Sequence, residues 1–277
     1  MNMKKLFLMS VLSLVSLSGM IAQEQTGVQL MTGDQIVEVL PDRFWTFRQI
    51  SYDGAVIAVP RGFYGLVIAV GPAKFIGTGH DEGGMEELKS VRLLVDGKEQ
   101  ELDQMEYQGE EIILEKVSQV GPFEHHAVTT LKNGRIHLKH SLEAQDSAYM
   151  ELIYPFMLCW TPETTEWTAE TVGGEILSGE FVSDQGWELQ QSVLWSAVYD
   201  PTNTLIAKVE FGEDFPEGKI HKHAFWDQPH YHKQYFQSHF QETVTEGDVF
   251  EYECTVGFIK ASPENWKERA QENLEVQ

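Results

Sequence analysis

The chain has 277 residues, 42% hydrophobic and 11% aromatic, with a formal net charge of −23. The apolar content suffices for a real core, and the negative field repels nucleic acid and anionic membranes, which argues against both as partners.

Lys4 and Lys5 form a positive start, Leu6 to Leu17 is an apolar run broken only by serines, and Gly19-Met20-Ile21-Ala22 leads into polar sequence. An apolar core of about a dozen residues is shorter than the ~20 that cross a bilayer, so residues 1–22 read as a signal peptide with Ala22 before the cut. The remaining chain, residues 23–277, is expected to be secreted or periplasmic, without membrane insertion. It should form a single domain carrying a charge of about −25 once Lys4 and Lys5 are removed.

Along that domain the dominant pattern is alternation at period two between turn dipeptides, which predicts antiparallel strands. Asp53-Gly54, Asp96-Gly97 and Asn133-Gly134 are two-residue hairpin signals, and Gly173-Gly174 and Glu246-Gly247 are further turns. Tyr64 to Val70 and Ile112-Ile113-Leu114 read as continuous apolar strands. Phe250, Tyr252, Cys254, Val256 and Phe258 mark a half-buried strand. One short helix is predicted over Glu264 to Asn273, with Ser262 as cap and Pro263 at its start. The expected fold is all-β: a large two-sheet antiparallel sandwich, supersandwich or jelly-roll-like, closed by that C-terminal helix. Cys159 and Cys254 both sit in apolar stretches; a disulfide and two buried free thiols in neighbouring strands are both open readings.

Nine of the ten histidines fall in two windows. His125, His126, His137 and His140 lie between Pro122 and Leu142, and His221, His223, His230, His232 and His239 between Lys219 and His239. Each window carries a local excess of positive charge, so their meeting would make a basic patch suited to a carboxylated or sulfated ligand. A two-residue turn at Asn133-Gly134 pairs Leu131 with Ile136 and Ala127 with His140. It puts His125 and His140 on the apolar face, and His126 and His137 on the other.

In the second window two His-x-His pairs could present imidazoles to a metal, although no metal or other cofactor is assigned. Hydrogen bonding or proton transfer suits those imidazoles better, with the phenols of Tyr231 and Tyr235 nearby. His80 stands apart, in the glycine-bounded loop Thr78-Gly79-His80-Asp81-Glu82-Gly83-Gly84, where backbone can approach a ligand closely. Of Trp160, Trp167, Trp187, Trp195 and Trp226, Trp226 beside Asp227 is the one expected to face a ligand. The serine-hydrolase elbow, the His-Glu-x-x-His helix and zinc-type cysteine spacing are absent, while 43 acidic residues leave a paired-carboxylate site undefined.

A strand-dominated chain with His80 in a Gly-rich loop and later histidines and aromatics resembles, over about residues 35–260, the galactose-mutarotase-like sandwiches of sugar epimerases and polysaccharide-degrading enzymes. Tyr231-His232-Lys233-Gln234-Tyr235-Phe236-Gln237 is similar to the Tyr-x-Lys…Tyr-x-Gln strand of jelly-roll polysaccharide lyases. In those lyases the second tyrosine lies two residues further along, and their other motifs are missing here.

These features lead to the expectation of an exported carbohydrate-active protein acting on an acidic glycan, with a glycan or small sugar as partner. If it is catalytic, β-elimination or epimerisation would use His80, His125, Tyr231 and His232. Trp226, Lys233, Trp195, His223 and Tyr235 would bind substrate. The alternatives are a non-catalytic glycan-binding accessory sandwich and, third, a metal-dependent enzyme.

Overall fold

Alternating side chains and tight turns give two large antiparallel sheets in the computed structural model, which describes residues 27–59, 65–71, 75–79, 86–212 and 220–274. The signal-peptide segment and His80 lie outside the described residues. The three hairpin dipeptides turn as read. Asp53, Asp96 and Asn133 have φ of 50°, 49° and 53°, and the glycines after them 75°, 75° and 69°, the doubly left-handed pattern of a type I′ turn. Gly174 (φ 80°) and Gly247 (φ 89°) occupy the two further turns.

The register follows from those turns. Strand Phe123–Lys132 pairs with Arg135–Ala144, with Leu131 opposite Ile136 and Ala127 opposite His140. Arg135–Ala144 pairs next with Val249–Lys260, in which Tyr252, Cys254 and Val256 are buried while Glu251 and Glu253 are not. These strands belong to the smaller sheet. The larger sheet is organised around Tyr231–Val244, flanked on one side by Ile220–Gln228 and on the other by Ala148–Tyr154 and Met157–Trp160 in succession. Tyr64 lies outside the described residues, the rest of its apolar run contains the strand Val67–Val70, and Ile112 to Leu114 opens the longer strand Glu111–Val120, whose side chains alternate in burial.

The main core fills the space between the sheets, and two smaller clusters lie outside it. On the outer side of the smaller sheet, Trp195, Tyr199, Ile206 and Ile259 are covered by Trp266, Ala270 and Leu274 from the C-terminal segment. Trp266 is 2% exposed and stacks on Tyr199 at 5.0 Å. The helix is shorter than the predicted span, only Trp266–Arg269, and Asn265 rather than Ser262 is its cap residue. Ser262 instead accepts the amides of Asn265 and Trp266 through its carbonyl. After Arg269 the bonds tighten to three-residue spacing (Gln271 to Glu268, Glu272 to Arg269), which ends the α-helix while still pointing Ala270 and Leu274 at the sheet.

The cysteines resolve to free, buried thiols, in opposite sheets rather than neighbouring strands: Cys159 in Met157–Trp160 and Cys254 in Val249–Lys260. No helix among the described residues is long and apolar enough to cross a membrane.

Candidate functional site

The second outlying cluster is on the outer face of the larger sheet. Parity along Tyr231–Val244 builds it: Phe236 and Phe240 point into the main core, whereas Tyr235 joins Val67 and Met157 on the outside, packed by Phe75, Tyr154 and Trp226. The Lys233 ammonium lies 4.9 Å over the Tyr235 ring. The edge strand Trp187–Gln191 completes this face by pairing with Ile220–Gln228, with Trp187 directly opposite Trp226. The two indoles stack, with centroids 5.9 Å apart and planes 13° apart. Trp187 is 47% exposed, unusual for so large an apolar side chain.

The edge strand is held in place by a buried carboxylate. Asp227, fully buried, accepts the Val182 N–H at 2.7 Å and the Ser183 N–H at 2.6 Å through Oδ2. Its Oδ1 lies 2.8 Å from His232 Nδ1, which donates to it, and its own N–H donates to the Gly186 carbonyl. Ser183 (φ 59°) and Gln185 (φ 64°) are both left-handed, so the segment leading into Trp187 is strained and depends on these anchors. Phe181 lies flat on the His232 ring, 4.0 Å between centroids. Burial lowers the His232 pKa, against the opposing pull of Asp227 and of the Pro162 carbonyl.

The sequence-predicted residues divide between surfaces. Trp226, Lys233 and Tyr235 come together on the outer face of the larger sheet. His232, adjacent to Lys233, points the other way and is 1% exposed. Tyr231 is half-buried against the main core. Trp195 lies on the opposite side of the molecule, where its indole N–H donates to Glu170 and Lys208 sits 4.8 Å over its ring. His223 is buried against Phe211 and Phe236, accepts the Val193 N–H, and is pushed down to about 3 by burial.

His125 and His140 meet as the register required, Nε2 to Nδ1 at 3.0 Å, but inside the sandwich. They line a cavity of about 50 Å³ together with Lys116, Thr46, Phe47 and Phe156. Burial, followed by the nearby Lys116 ammonium, pushes His140 down to about 3. His125 is held well below its ordinary value, by burial first and then by His140 and Lys116. The two histidine windows approach each other in the core, where Phe156 and Phe236 lie 6.2 Å apart with His140 against one ring and His223 against the other, and where Tyr252, opposite His140, meets Phe236 and Ser238.

The windows do not combine into a basic patch among the described residues. Lys132 pairs with Glu111 and Lys139 with Glu251 on the smaller sheet, while Lys222 is exposed on the larger. No three His, Cys, Asp or Glu side chains among the described residues gather as a metal-ligand set. Trp187, Tyr154 and Phe75 belong to the outer-face cluster although the sequence reading assigned them no role. Parity relative to the core residues Ile153 and Ile76 would have put Tyr154 and Phe75 on the outside, but nothing local pairs Trp187 with Trp226.

No protein-family profile matches the chain, and no curated protein matches it in sequence. Among solved structures it is similar to the galactosidase domain of the α-galactosidase–sucrose kinase AgaSK, at 10% identity and TM-score 0.54, over 86% of this chain and 41% of that one. The GH36 α-galactosidase AgaB of Geobacillus stearothermophilus follows, at 10% identity and TM-score 0.52, over 87% and 40%. A candidate aldose 1-epimerase of Escherichia coli K12 matches at 10% identity and TM-score 0.47, over 85% and 99%. The chain spans about two fifths of the galactosidase chains. At these identities the likeness to the two galactosidases is one of fold alone, a large two-sheet antiparallel β-sandwich.

Proposed function

We propose that this is an exported carbohydrate-binding sandwich that takes sugar on the outer face of its larger sheet, with Trp187 and Trp226 as the stacking platform. The observation that carries this reading is the parallel indole pair at 5.9 Å, one ring nearly half exposed, held there by a dedicated buried anchor. Flat aromatic faces attract the C–H face of a pyranose through dispersion and the ring quadrupole, and they cost little ordering when already packed.

Lys233, 8% exposed, lies over Tyr235 and gives this otherwise apolar face a positive charge, which is the reason to test carboxylated sugars. Binding is favoured over histidine-based elimination or epimerisation because His125, His140, His223 and His232 all point into the interior, with lowered pKa values. A general base must reach the proton it removes.

The galactosidase names of two structural neighbours suggest galactosides as probes, and Lys233 suggests uronates. Calorimetric titration of the mature chain with both series should give saturable binding to one of them, weakened about tenfold or more by Trp187→Ala. Heat absent for every sugar would overturn the reading. Unsaturated ends accumulating at 1:1000 protein to uronate polymer would replace it with a lyase.

A further inference from the structure

The geometry points to an extended glycan of about three sugar units lying across the strands as the ligand of this face, not a single sugar; this rests on the sugar-binding reading above. The aromatic face is a row. From Trp187 the centroids step 5.5 Å to Tyr235, 5.4 Å to Tyr154 and 6.4 Å to Phe75. Each ring sits on a different strand, and the row runs from the edge strand Trp187–Gln191 to the edge strand Phe75–Gly77 at the other side of the sheet. Ile220–Gln228 lies between the strands of Trp187 and Tyr235, and Val67–Val70 between those of Tyr154 and Phe75, so the row crosses the strands instead of following one.

Its floor is continuous, because Val67 and Met157 fill the space between the rings. It is also deeper in the middle than at one end: Tyr235 is 9% exposed and Trp187 47%. Tyr235, Val67 and Met157 are themselves buried, so a monosaccharide on Trp187 would leave the partly exposed rings of Tyr154 and Phe75 uncovered. A chain of pyranoses presents one ring face per unit at a spacing close to these steps, and would cover the strip from Trp187 to Tyr154. Binding successive units to one rigid strip raises affinity with chain length until the strip is filled.

The test is a ladder of galacto- and uronate oligosaccharides from one to five units, titrated calorimetrically into the full chain. Affinity should climb by about tenfold or more between one and three units and then level off. Tyr154→Leu should weaken the trisaccharide several-fold and leave the monosaccharide unchanged, and Phe75→Leu gives an independent check should the first variant lose its fold by circular dichroism. A monosaccharide that binds as tightly as the trisaccharide, and loses affinity in Trp187→Ala, would overturn the extended ligand while keeping the sugar site. Failure of every length to bind would remove both. Sedimentation showing a dimer broken by Trp187→Ala, with no sugar bound, would make the strip a contact between copies and likewise overturn the proposal.

Discussion

Trp187 and Asp227 lie on adjacent strands, and the buried carboxylate of one sets the position of the exposed indole of the other. Asp227 fixes the amides of Val182 and Ser183 and meets the Gly186 carbonyl through its own N–H, directly before Trp187 begins its strand. An exposed aromatic ring with an internal anchor is the arrangement expected where recognition needs a rigid platform.

Removing the anchor should be costly. Asp227→Ala leaves two backbone N–H groups and the His232 imidazole without their acceptor, which should destabilise the protein by about 3 kcal/mol or more. Urea unfolding measures the loss, and amide exchange should show Val182 and Ser183 losing protection. An unchanged midpoint would show that the segment is held by other contacts.

Removing the platform should cost less. Trp187→Ala takes away a ring that is 47% exposed but packed against Trp226 and Tyr235, so stability should fall by about 1–2 kcal/mol. The coupled indole signal in the far-ultraviolet circular dichroism of the Trp187–Trp226 pair should vanish in the same variant. Its persistence would assign the signal to another aromatic pair.

Acid should destabilise the fold before its carboxylates titrate. His140 and His223 are pushed down to about 3 and His125 well below its ordinary value, all chiefly by burial. Their unfolded value is about 6.5, so their contribution is whole above that pH and is lost as pH falls towards the folded values. Each such histidine removes about 1.4 kcal/mol per pH unit over that window. Denaturant midpoints measured at pH 7.5, 6.5 and 5.5 should fall steadily below 6.5, and a flat profile would contradict the buried neutral imidazoles.

The thiols should be silent in the folded state. Cys159 and Cys254 are buried in opposite sheets, and burial raises the Cys254 thiol further from reactivity. A thiol reagent should label neither in native protein and both after denaturation without reductant. A thermal midpoint that drops on adding reductant would contradict free cysteines.

Local chemistry made much of this fold legible. Asn133-Gly134 dictates a register that makes His125 and His140 diagonal neighbours on one face, because a two-residue turn leaves no freedom in pairing. The same period-two rule separates His232 from Lys233, which lie on opposite faces, so a single site using both was never available to one strand. What the sequence could not show was long-range. Trp195 and Trp226 look alike in their local context, and only the assignment of their strands to different sheets sends one beneath the C-terminal helix and the other to the open face. Trp187 owes its place to a carboxylate forty residues away, a contact with no local signature.

The most direct measurement is the indole region of a ¹H–¹⁵N spectrum, in which the chain's seven tryptophans give separate signals. Titration with a galacto- or uronate trisaccharide should move the Trp187 and Trp226 signals, identified by substitution, and leave those of Trp160 and Trp266 in place. Movement confined to other indoles, or none at saturating sugar, would contradict a sugar site on the outer face of the larger sheet.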